Sequence, residues 1–182
     1  MRRVTVVAAI GLLLAATAAL AATSPRTIRW ANGKVTHIGT MRTNGSPTLT
    51  RAIRAFGTPS RRRLSGRELC RVDWNALGLR ANFVNLGGAR PGQTTCTPGV
   101  GKLQTATIRG TGFRTPRGLK VGDSTARLRE LHPGARLRER SWWLATVPNP
   151  FGAAGDRMAI VRANTKAGKV ANFVLWIGAA GE

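Results

Sequence analysis

Between Leu49 and Phe56 the apolar side chains Leu49, Ala52, Ile53 and Phe56 recur at i, i+3, i+4 and i+7, the spacing of one buried stripe on an α-helix. Ser46 suits the cap of this helix and Pro47 its first position, where a missing N–H costs nothing. Gly57 and Pro59 mark its end, and Arg51 and Arg54 fall off the stripe towards solvent. A shorter stripe, Leu128 and Leu131, follows Asp123 or Ser124 as cap and runs into Pro133 and Gly134.

Elsewhere the period is two. In "CRVDW" Cys70, Val72 and Trp74 point one way and Arg71 and Asp73 the other. "NALG" then reads as a turn and "LRANFVNL" as the returning arm of a hairpin. A second hairpin runs out on "RMAIVRA", turns on "NTKAGK" and returns on "VANFVLWI". "ANFV" therefore occurs twice, each time on a returning arm, with Ala81 and Phe83 on one core face and Ala171, Phe173, Leu175 and Ile177 on the other. "SWWLATV" and "KLQTATIRG" read as further strands, and "SRRRLSGR" as a basic loop. These elements predict an α+β fold of two tandem repeats, each a short helix followed by a small antiparallel sheet. The expected organisation is residues 22–110 for the first unit and 111–182 for the second.

The opening residues do not belong to either unit. Arg2 and Arg3, the uncharged run Val4–Leu20 and Ala19-Leu20-Ala21 have the order of a cleavable signal peptide spanning 1–21, with an uncleaved anchor as the rival reading. Export makes the compartment oxidising, so the two cysteines, Cys70 and Cys96, are expected to form one disulfide. Removal of Arg2 and Arg3 takes the formal charge from +22 to +20, a balance that attracts anionic partners in a salt-dependent way. Arg, Ala, Gly and Pro have GC-rich codons, so genome composition is the competing source of that excess.

The segments "SPTLTRAIRAFGTP" and "GLKVGDSTARLRELHPGA", with "CRVDW" and "SWWLATV" after them, resemble the beta-lactamase-inhibitor-protein fold. They also resemble its single-unit counterpart, the small lipoprotein of the outer-membrane assembly machinery. The C-x-V-x-W and GL-x-VGDS elements are similar to those of uncharacterised secreted actinobacterial proteins. This resemblance implies a binding scaffold, without the second disulfide, the Tyr-rich face or the lipid-attachment Cys of those families.

Seven carboxylates and two histidines are a sparse catalytic inventory. His37 lies in a strand-like run and His132 beside a helix-ending Pro, and no nucleophile elbow, metal-binding pair or phosphate loop accompanies them. Asp73 and Glu68 sit among Arg67 and Arg71, which points to ion pairing. The expectation is therefore a non-enzymatic protein without catalytic residues, metal or cofactor; an unrecognised hydrolase is the minority alternative. A secreted binding protein is the leading reading, inhibitor-like and meeting a protein partner through an outer sheet face. Its contact residues are expected among Trp142, Trp143 and Trp176, with Val84, Leu86 and Val174 beside them and Arg61, Arg62 and Arg63 at the rim. The alternative is a basic adhesive module for anionic cell-envelope polymers. Neither reading calls for specific nucleic acid or a membrane span after cleavage. The segment Thr27–Ile38 is the candidate to cover the outer face instead.

Overall fold

The structure, a computed structural model, describes residues 25–178 except 46, 86, 88 and 89. The expected signal segment, the Ser46 cap and Leu86 lie outside those residues.

Three short strands come first: β1 (Arg26–Ala31), β2 (Lys34–Ile38) and β3 (Met41–Arg42). Asn32 and Gly33, both at positive φ, turn β1 into β2. Helix α1 (Leu49–Phe56) leads to β4 (Arg61–Ser65), β5 (Leu69–Trp74), β6 (Leu79–Val84) and β7 (Lys102–Ile108). After β8 (Phe113–Arg114), helix α2 (Thr125–Leu131) leads to β9 (Arg136–Arg138), β10 (Ser141–Pro148), β11 (Arg157–Lys166) and β12 (Lys169–Trp176). The strands form a four-stranded sheet in the order β3-β2-β1-β8 and an eight-stranded sheet in the order β4-β5-β6-β7-β12-β11-β10-β9. Every pairing is antiparallel except β1 with β8. No described helix is long and apolar enough to cross a membrane.

This architecture corrects the expected fold class. The protein is predominantly β, with helices of only eight and seven residues, and it is not an α+β chain of two tandem helix-plus-sheet units. The physical reason lies at β7. It pairs with β6 on one side and β12 on the other, so strands from both halves of the chain share one hydrogen-bonded sheet. Both "ANFV" segments border this strand, with Phe83 opposite Leu103 and Phe173 opposite Ile108. The recurrence is thus two arms packed against a shared strand.

One face of the large sheet is the core. Cys70, Val72, Leu79, Phe83, Leu103, Ile108, Phe173 and Leu175 are all buried there, joined by Ile28, Ile38 and Phe113 from the small sheet and by Leu49 and Leu128 from the helices. The small sheet and both helices therefore lie over this face. Thr27–Ile38 packs here too, rather than covering the opposite face.

Several local expectations need adjusting. Helix α1 begins at Leu49 with Thr48 at its N-cap position, not at Pro47. The Pro47 carbonyl accepts from Leu103 N at 2.8 Å and Thr48 bridges to Lys102, so pairing with β7 keeps this turn extended. "SRRRLSGR" contains an edge strand, β4, rather than being a loop throughout. In β12 a register shift sets Asn164 opposite Asn172 but Thr165 opposite Val170, so Val170 enters the core and Ala171 only half does. Cys70 and Cys96 form the expected disulfide, with Cα atoms 5.0 Å apart.

Candidate functional site

Side chains alternate across a pleated sheet, and residues opposite each other on neighbouring strands share a face. With Phe83 and Phe173 inside, the outward set of the large sheet follows from the register. One row crosses all eight strands: Arg61, Asp73, Arg80, Thr107, Val174, Arg162, Trp143 and Arg136. A second carries Arg63, Arg71, Asn82, Thr105 and Trp176. A third carries Asn172, Asn164, Ser141 and Arg138. Most central members of these rows are half-buried, as expected for side chains lying side by side on a sheet surface.

The face is polar and strongly basic. Asp73 is its only carboxylate among the described residues, and Arg80 Nε lies 2.6 Å from Asp73 Oδ1. Ser141 Oγ donates to Asn164 Oδ1 at 2.7 Å and Asn164 Nδ2 to Asn172 Oδ1 at 2.9 Å, a ladder across β10, β11 and β12. Asn82 Nδ2 donates to Thr105 Oγ1 at 2.9 Å. Two buried polar atoms on this face have no partner among the described residues, Asn82 Oδ1 and Trp143 Nε1. The Arg138 guanidinium lies 5.5 Å from the Trp143 ring centroid, within cation–π range.

The structure separates the residues singled out from sequence. Trp143, Trp176, Val174, Arg61 and Arg63 share the outer face. Trp142 does not: it stands opposite Ala163 on the core face, is only 8% exposed, and lies under Arg129 of α2 at 5.3 Å. Arg62 stands opposite core-facing Val72 and leaves the sheet at the β4 edge. Val84 is on the outer face beside Lys102 and Leu69. The expected apolar-aromatic centre is therefore small, Val174 with the two indoles, inside a field of arginine, asparagine and threonine. Sequence reasoning set Arg71 opposite the core face but missed Arg80, Arg162, Asn82 and Thr105 as members of this surface. Their signal was the strand alternation itself, carried through to the residues that oppose the core set.

The histidines lie elsewhere. His132 is buried and shares a 2.9 Å hydrogen bond with Thr115 Oγ1. His37 Nδ1 lies 3.2 Å from Thr36 Oγ1 and stands in a row between Arg29 and Arg42. Burial first, then these two guanidiniums, hold the His37 imidazole below its ordinary pKa. No group of three or more His, Cys, Asp or Glu side chains suited to a metal gathers among the described residues.

No protein-family model matches the chain, and no curated protein matches it. Among solved structures it is similar to an extracellular protein containing a SCP domain from Bacillus anthracis str. Ames. The likeness has 12% identity and a TM-score of 0.39, and covers 82% of this chain and 50% of that one. The chain thus spans half the length of that protein.

Proposed function

We propose that this is an exported, non-catalytic binding protein that holds an anionic polymer across the open face of its eight-stranded sheet. The observation that carries this reading is the composition of that face: arginines on five of its eight strands against, among the described residues, the single carboxylate Asp73. Neighbouring strands lie about 5 Å apart, so a chain laid across them meets guanidiniums repeatedly, with amide and hydroxyl groups between. Trp143 and Trp176 add flat surfaces for stacking. The disulfide supports export, since it is at home in an oxidising compartment.

Binding to isolated cell envelopes and to a soluble polyanion such as poly-glutamate tests the reading. Affinity is expected to collapse as salt rises from about 50 mM to about 500 mM, where the Debye length shrinks severalfold. The double variant Arg71→Gln/Arg162→Gln should reproduce much of that loss at low salt. Salt-resistant binding to a protein, abolished by Trp176→Ala alone, would instead favour the protein-partner reading, for which the contiguous Val174, Trp143 and Trp176 are the supporting observation.

A further inference from the structure

Glu68 is the first carboxylate in the sequence, so Arg42, Arg51 and Arg54 have no acid near them along the chain. Three of them meet at a cleft of about 620 Å³ between β3 and α1, where Arg42, Arg51 and Arg54 line the wall with Thr40, Met41 and Asn44. Arg51 and Arg54 are three residues apart on α1 and share its solvent side, because Leu49 and Ala52 occupy the buried side. Arg51 is held in place: its Nη1 donates to the Asn44 carbonyl at 2.9 Å. That contact uses one of five N–H donors on the guanidinium. Among the described residues the lining contains no Asp or Glu, and the ion pairs Arg80–Asp73 and Arg127–Glu130 lie elsewhere. The positive field reaches the neighbouring strand, where burial first, then Arg29 and Arg42, lower the His37 pKa.

Three like charges around one concavity repel each other until an anion enters. Guanidinium forks match the oxygen edges of a tetrahedral oxyanion in pairs, and a dianion complements three positive charges better than a carboxylate does. We propose that the β3/α1 cleft is a binding site for a phosphate group, with Arg42, Arg51 and Arg54 as its ligands. A second basic depression, lined by Arg29, Arg114 and Arg117, is less suited. There Arg117 Nη1 already donates to the Leu131 carbonyl at the end of α2, whose dipole offsets its charge, and that stretch of chain carries Asp123 and Glu130. Helix α1 lies over the core face, with Phe56 against Trp74 at 5.6 Å, so the cleft is on the other side of the large sheet from the polymer-binding face. The two sites can be tested apart.

The test titrates inorganic phosphate into the full chain at constant ionic strength, against chloride, by calorimetry and by the Nε–H signals of arginine in NMR. Saturable binding is expected, weakened about ten-fold by each of Arg42→Gln, Arg51→Gln and Arg54→Gln, as loss of a charge-assisted contact implies. Arg114→Gln in the second depression and Arg71→Gln on the sheet face should leave it unchanged. A parallel titration with glycerol 3-phosphate separates the sources: tighter binding than inorganic phosphate marks the site as reading an ester, weaker binding marks free phosphate as its ligand. Uptake that never saturates, that chloride reproduces, or that falls equally with Arg114→Gln and Arg71→Gln would reveal only diffuse charge and overturn the proposal.

Discussion

Gly78 and Gly110 meet backbone to backbone where the β5–β6 turn closes on the end of β7. Gly78 has φ 58° after a one-turn 3-10 helix, and its carbonyl accepts from Arg109 N at 2.7 Å. A Cβ on Gly110 would stand 2.0 Å from the Leu77 carbonyl oxygen, against backbone that cannot swing aside. Gly110→Ala must therefore part the turn from the strand. A loss of roughly 2–4 kcal/mol is expected, lowering Tm by roughly 5–15 °C in a chain of this size. Circular dichroism melts check it, and an unchanged Tm would show that the turn yields freely. His132 offers a different kind of test. Burial first, then Arg117, push its pKa from 6.5 down to about 4, so the fold holds the neutral imidazole against Thr115 and near the Trp30 ring. The unfolded chain takes up this proton at about pH 6.5 and the folded chain only near pH 4. Its contribution is fully present above pH 6.5 and falls by about 3 kcal/mol as pH drops to 4. His132→Gln should flatten that segment of the urea-midpoint profile; an identical slope in the variant would refute the assignment.

At the scale of elements, Cys70 is an interior member of β5, opposite Leu64 on one side and Phe83 on the other, while Cys96 belongs to the long connection between β6 and β7. The disulfide ties that connection to the core, and Thr95 beside it is buried with its hydroxyl donating to the Arg67 carbonyl at 2.9 Å. Cys70→Ala/Cys96→Ala should cost about 3–4 kcal/mol by loop-closure entropy, less if the β6–β7 connection stays ordered without it. Guanidinium denaturation with the parent as reference measures this; equal midpoints would mean the link contributes nothing. Elements built on local periodicity were legible in the chain. The stripes of both helices and the alternation of β5 are set by neighbours within a few residues. Ser124 indeed caps α2, accepting from Arg127 N at 3.1 Å. Strands β4 and β9 were not legible, because an edge strand is held mainly by backbone hydrogen bonds to one neighbour, whatever its side chains. Arg61, Arg62 and Arg63 look like solvated coil until β5 is placed beside them. The start of α1 was misread for the same reason, since its extended entry is fixed by β7.

For the whole molecule, the pairing of β7 with β12 decides the architecture, and it joins segments far apart in sequence. Nothing in local periodicity announces such a pairing, which is why two tandem units looked sufficient. The same gap affected the candidate surface. Alternation set Trp176 on the face opposite Phe173 and left one of Trp142 and Trp143 outside without saying which, and the neighbours Arg80, Thr105 and Arg162 come from other strands and could be placed only by the register. Trp142 could not be assigned to the core before α2 was seen to lay Arg129 over it.

The two outermost strands of the large sheet have a consequence for life in a crowded solution. An unpaired strand edge is a template on which another molecule's edge can add, and the product is a growing aggregate. Here the edges are β4, reading Arg-Arg-Arg-Leu-Ser, and β9, reading Arg-Leu-Arg. For two copies to join edge to edge, rows of guanidiniums would have to approach to about 5 Å, with no acidic strand on either side to receive them. The arginines at the rims therefore oppose the edge-to-edge joining of two copies.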